Sequence, residues 1–291
     1  MENEPNSLIP VSGYWAEHFA DKLEDGCISA ETLSKQKSVM ILPYLAERYE
    51  SVSLEFLTLM PNLKKLITHA DNIANYEVLK KLTGLTQLAI SGSSFTESDL
   101  EYLACLEDLR KLTLVRLTLK NVHKLKSIPK LKSLALILIE SFDSKTIGEL
   151  VNLTELCLED FAAGDLSYIS NLTKLKKLEL KKVTIPHFGF MKDLKNLKTF
   201  RADTRAEDES EMTVLEELSK LEEFTYPVGD LSILQNCLGL REIGVDASRY
   251  SGLPERFRSN ISGFTIFEAT SIEQIDTIGD DFSKYFNLNS Y

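Results

Sequence analysis

The sequence is short of the residues from which compact active sites and covalent cross-links are built. It has only four cysteines, four histidines and one tryptophan in 291 residues. Cys27, Cys105, Cys157 and Cys237 are far apart, with no CxxC pair. That excludes a disulfide framework and the ligand spacing of a structural zinc site, and no metal is expected. His18, His69, His123 and His187 are equally scattered, and no HExxH, GxSxG, GxGxxG or GxxxxGK[ST] occurs. No catalytic residues and no cofactor are expected. Positive charge is in deficit: 33 Lys and Arg stand against 44 Asp and Glu, a net charge of −11. Phosphate-rich partners and anionic membrane surfaces both call for basic surface, so neither nucleic acid nor membrane is the expected partner. The longest apolar run, Leu134 to Ile139, is far too short to span a bilayer. The opening MENEPNSLIP has no basic segment followed by an apolar one. No signal peptide is expected, and the thiols are expected to be reduced in a cytoplasmic protein.

What the chain has in excess is leucine, 47 residues or about one in six. The leucines are periodic on two scales. The short pattern is L-x-x-L-x-x-L-x-x-L-x-L. It occurs as Leu79, Leu82, Leu85, Leu88, Ile90, and again as Leu103, Leu106, Leu109, Leu112, Leu114. It returns from Leu125, Ile147 and Ile169, and the same frame fits segments starting at Leu57, Met191, Leu215 and Leu234. A degenerate tenth copy surrounds Ile261, Phe264 and Ile266. The long pattern is the distance between copies. The third apolar position falls at Leu63, Leu85, Leu109, Leu131, Leu153, Leu175, Leu197, Leu221 and Leu240, spaced by 22, 24, 22, 22, 22, 22, 24 and 19. A period near 22 is the mark of a solenoid.

One long helix does not account for the pattern. Steps of three fall short of 3.6 residues per turn, so the stripe would drift around the helix. The L-x-L ending suits a strand, and the rest of each coil reads as a loop and a tight helical or 3₁₀ turn. One coil offers about five large apolar side chains, worth roughly 8–15 kcal/mol gross. Ordering 22 backbones costs more, at ~1–2 kcal/mol each. A coil therefore needs neighbours on both sides.

These copies resemble leucine-rich repeats, L-x-x-L-x-L-x-x-N/C-x-L, and the 22-residue length is most similar to the bacterial internalin-type and related short intracellular class. The resemblance runs from about Leu57 to Val245. It implies an α/β fold, a right-handed leucine-rich-repeat solenoid of nine to ten repeats. A curved parallel β-sheet would line the concave face, with short helices, 3₁₀ turns and loops on the convex face and caps at both ends. The expected organisation is an N-terminal helical cap over 1–56, repeats over 57–267 and a C-terminal cap helix over 268–291. In the first cap Ser29 to Arg48 reads as helical, with Ser29 as N-cap and a break or kink at Pro43, and Val52 and Leu54 are read as adding a first strand. Tyr14, Trp15 and Phe19 read as lid packing. The ninth repeat position, Asn or Cys in the family, here holds Asp71, Ser93, Leu117, Ile139, Phe161, Val183, Arg205, Gly229 and Ser248. An asparagine ladder is missing, so the turns are expected to be held by apolar packing.

Alternation along each strand turns the residues around the two leucines outward. Val115, Ala135, Ile137 and Leu138 then form an exposed apolar patch beside mixed charge at Glu159, Asp160, Lys181, Arg201 and Asp203. An apolar centre with a charged margin is the anatomy of a protein interface. The same residues could instead pack against one another. From Lys174 to Arg201 the net charge is +7, and from Ala202 to Glu223 it is −7. Mutual compensation between stacked coils is the plain reading, and steering of a charged partner the functional one. The expectation is a non-catalytic scaffold, monomeric, binding an unidentified protein through Val115, Arg116, Ile137, Leu138, Glu159, Asp160, Lys181, Arg201 and Asp203. The alternatives are an effector or enzyme subunit with its groups assembled on the sheet, His69 included, or a substrate adaptor.

Overall fold

The computed structural model describes residues 7–140, 143–160, 165–204, 206–227 and 231–244. The tenth copy and the expected C-terminal cap helix lie outside the described residues. The chain divides into two compact units, Met1–Ala162 and Ala163–Tyr291.

The three-residue spacing of the leucines is the signature of the return segments. In Tyr76–Lys81, Glu97–Cys105, His123–Ser127, Ser144–Glu149 and Ser167–Asn171 the chain is a 3₁₀ helix. With three residues per turn, side chains at i and i+3 lie directly above one another. The backbone bonds keep the same step. Leu82 N–H donates to the Leu79 carbonyl and Leu85 N–H to that of Leu82, each at 3.0 Å. Leu125, Ile128 and Leu131 repeat this chain of bonds in a later coil. A pattern too tight for an α-helix thus fits a 3₁₀ turn, whose apolar stripe enters the core.

After the stripe comes the strand. In the first unit β1 (Leu8–Pro10) and β2 (Cys27–Ser29) pair antiparallel, and six parallel strands then follow in chain order: β3 (Ser38–Ile41), β4 (Lys65–His69), β5 (Gln87–Ser91), β6 (Lys111–Val115), β7 (Ser133–Ile137) and β8 (Glu155–Glu159). In the second unit β9 (Lys177–Lys181), β10 (Thr199–Ala202), β11 (Glu223–Thr225) and β12 (Glu242–Gly244) do the same. The register is the sequence spacing itself: Lys65 lies beside Gln87, Gln87 beside Lys111, Thr199 beside Glu223 and Glu223 beside Glu242. Entry to each strand repeats as well. The Lys64 carbonyl accepts from both Thr86 N–H and Gln87 N–H, and the Thr86 hydroxyl adds a third bond at 3.1 Å. The inward leucines Leu66, Leu114, Leu136, Leu158, Leu178 and Leu180 are fully buried. Where the family would place Asn or Cys, Leu117, Ile139 and Val183 are buried too, so apolar packing holds these turns. Asp71 and Ser93 are the polar exceptions among the described residues, Asp71 accepting from Ser93 N–H and its hydroxyl.

The N-terminal segment departs from the helical expectation. Ser29 does cap a helix, its hydroxyl accepting from Thr32 N–H at 3.1 Å. That helix, Ala30–Ser34, has only five residues. Beyond it Val39 and Ile41 turn inward and are buried, and β3 joins the sheet beside β4, 27 residues earlier in register. Pro43 begins the short helix Pro43–Ala46, where its missing N–H costs nothing. Val52 forms only an isolated bridge to Ile73. Tyr14, Trp15 and Phe19 are buried, Trp15 stacking on Phe56 at 5.2 Å and donating its indole N–H to the Ser53 carbonyl at 2.9 Å.

Candidate functional site

The outward side of the strands carries three rows of side chains. In the first unit the middle row is Thr113, Ala135 and Cys157, in register and half-buried. One margin is Lys111, Ser133 and Glu155. The other margin begins at the last strand residue, and here the expectation of an exposed apolar patch fails. Val115 is 0% exposed and Ile137 2%. Each lies between in-register neighbours, Ser91 and Val115 flanking one another and Val115 flanking Ile137, in a parallel ladder about 4.8 Å apart. Ser91 is itself 2% exposed. Alternation fixes which way a side chain leaves the strand, and stacking decides whether water still reaches it. Val115 and Ile137 therefore belong to the core, and of the expected anchor only Leu138, 36% exposed, remains at the surface.

Sequence patterning gave no hint of the geometry that puts Leu138 there. Arg116, Leu138 and Asp160 each follow a strand end and have φ of 53°, 53° and 48°. Non-glycine residues avoid this left-handed region. Ladder bonds hold the first two in it: Arg116 N–H donates to the Ile137 carbonyl at 3.0 Å, and Leu138 N–H to that of Glu159 at 2.9 Å. In the preceding coil the same position is Gly92, φ 124°. Arg116, Leu138 and Asp160 are all exposed, so three of the expected partner-binding residues form one row along the edge of the face.

In the second unit, Lys182 has the same backbone, φ 50°, and its N–H donates to the Asp203 carboxylate at 2.6 Å. Asp203 thus acts as a backbone cap. Lys181 and Glu159 are half-buried at their strand ends. Arg201 lies between two carboxylates on neighbouring strands, at 3.3 Å from Glu179 and in close contact with Glu223. Those bonds raise its already high pKa, the Glu223 contact most. Lys177 approaches Glu179 at 3.2 Å. The opposed charge blocks meet coil against coil: Lys195 with Glu217 and Lys198 with Glu222, both at 2.7 Å. Compensation between stacked neighbours is what these pairs show.

His69 is half-buried on β4. A histidine–carboxylate pair is formed elsewhere, by His187 and Glu211 at 2.9 Å on an exposed turn. A groove in the second unit is lined by Glu209, Met212, Glu216, Ile233 and Asn236, without histidine or cysteine. Among the described residues no three His, Cys, Asp or Glu side chains are grouped as metal ligands would be, and no helix is long and apolar enough to cross a membrane.

No protein-family model and no curated protein matches the sequence. Solved structures do match. An internalin of Listeria monocytogenes (inlF) aligns over 92% of this chain and 93% of its own, with TM-score 0.51 and 15% identity. TLR13, crystallised as a complex with ssRNA13, aligns over 75% of this chain and 37% of its own, with TM-score 0.54 and 18% identity. The fold is a leucine-rich-repeat solenoid. Identities this low speak to the fold alone, since one scaffold hosts many functions.

Proposed function

We propose that this leucine-rich-repeat chain is a non-catalytic, monomeric scaffold that binds a partner protein on the outward face of its parallel sheet. The observation that supports it is the composition of that face in the first unit. Small half-buried side chains lie between two polar margins, with Leu138 exposed at one of them. Partly apolar between polar margins, this is the anatomy of an interface core with a polar rim. Arg116, Leu138 and Asp160 would contact the partner directly. In the first unit Glu159 would add charge at its strand end; in the second unit Lys181 would do so at its own, while Arg201 and Asp203 are engaged within the protein. The caps over 1–56 and 268–291 are proposed to close the stack. A nucleic-acid partner is opposed by the net charge of −11.

The test is affinity capture on wild type and on Leu138→Asp/Lys181→Glu, after equal melting temperatures are established. A protein retained by wild type and lost from the variant is the expected result. Retention of the same proteins by both would move the interface off this face. A titration with single-stranded RNA belongs beside it, and tight, salt-dependent binding would overturn the choice of a protein partner.

A further inference from the structure

Resting on that reading, we infer that the partner presents an α-helix, which lies across strands β6, β7 and β8 on the row Thr113, Ala135 and Cys157. Three independent features of the first unit meet there.

The first is spacing. The row Arg116, Leu138, Asp160 follows strands paired in strict register, so its members step by about 4.8 Å and span roughly 10 Å. One face of a helix offers residues at i, i+3 or i+4 and i+7, stepping by about 5 Å and spanning about 10.5 Å. An extended segment repeats its side chains every ~6.6–6.8 Å on one side and overshoots the row by more than 3 Å. The helix matches and the strand does not.

The second is charge order. One margin runs Lys111, Ser133, Glu155 and the other Arg116, Leu138, Asp160. Both pass from basic through neutral to acidic along the same three coils. A complementary helix carries an acidic residue at i, an apolar one at i+3 or i+4 and a basic one at i+7.

The third is the backbone. Glycine would adopt the left-handed conformation of Arg116, Leu138 and Asp160 without cost, and the chain uses it one coil earlier at Gly92. Large side chains stand there instead, and Arg116 and Leu138 are each bonded from their N–H and preceded by a buried strand residue, Val115 or Ile137. Side chains on so fixed a base are pre-organised for docking. The floor is small enough for a helix to approach closely.

The experiment is selection from a displayed library of single-helix peptides, randomised on one face, against the full chain. The expected enrichment is acid, apolar, base at i, i+3 or i+4, and i+7. Leu138→Asp should weaken the selected peptides at least tenfold, and Arg116→Glu should shift the preferred residue at i from acidic to basic. Leu138→Asn serves as a milder variant should the aspartate lower the melting temperature. Binders that need Leu138 yet lack this order, or that bind only when extended, would overturn the helix inference and leave the scaffold reading standing. Binders indifferent to Leu138, Arg116 and Lys181 alike would overturn both.

Discussion

At the scale of residues, the outward face is decided by two adjacent positions that look alike in sequence. Ile137, the last residue of β7, and Leu138, the residue after it, are both aliphatic, yet one is 2% exposed and the other 36%. Their substitutions should diverge. Ile137→Asp buries an uncompensated carboxylate and should cost several kcal/mol, enough to unfold the stack locally. Leu138→Asp should change stability by about 1 kcal/mol or less. Paired urea titrations of the two variants check this. Gly92 gives a sharper case. A Cβ there would lie 2.4 Å from the Ala70 carbonyl oxygen, a backbone atom of the previous coil that cannot swing away. Gly92→Ala should therefore destabilise by about 2 kcal/mol or more, well beyond the ordinary glycine-to-alanine gain. The same titration measures it, and an unchanged midpoint would show that the coils can separate at this point.

At the scale of elements, the coil is a 3₁₀ turn feeding a strand, and neighbouring coils are tied by ion pairs between residues 22 to 24 apart. Most are exposed and contribute little. The Arg201 bridge is different, because its partners Glu179 and Glu223 have side chains only 13% and 19% exposed. Replacing Arg201 by methionine keeps the stem and leaves two carboxylates close together without their shared cation. A loss of about 1–2 kcal/mol is expected, partly recovered in high salt as repulsion is screened. Melting curves at low and high salt for both proteins test it. A loss independent of salt would mean that packing of the stem, rather than charge, is what Arg201 supplies.

At the scale of the whole molecule, pH should act in two windows. Burial lowers the pKa of His18 below 6.5, with Lys22 opposing protonation further and Asp21 favouring it. Around it lie Tyr14, 3.3 Å from Nδ1, Trp15 and Phe19. A lowered folded-state pKa means that the unfolded chain takes the proton first, so stability falls as pH drops below about 6.5. The carboxyls of Glu31, Asp108, Glu217 and Glu222, held below their usual range by hydrogen bonds to lysines, and of Asp208, held down by Ser210, add a further loss below about 4.5. Between pH 7.5 and 5.5, His18→Phe should lose less melting temperature than wild type. Equal losses would place the titrating group elsewhere.

The repeat, its register and its breaks were legible in the sequence, because each coil must bury the same stripe against the next and so must keep the same leucines. The spacings 22, 24 and 19 between leucines are the pairings Lys65 with Gln87, Gln87 with Lys111 and Glu223 with Glu242. What failed was local. β3 was hidden because its coil has Gln36 where the others have the third leucine, although Leu33, Val39 and Ile41 keep the frame. The left-handed row of Arg116, Leu138 and Asp160 was hidden because no residue type there demands it. The alternation of a strand, a property of one chain segment, determined that Val115 and Ile137 point away from the leucine core. Only the tertiary structure decided that they are nevertheless dry, because burial depends on what the adjacent coils place at the same height, 22 and 24 residues away.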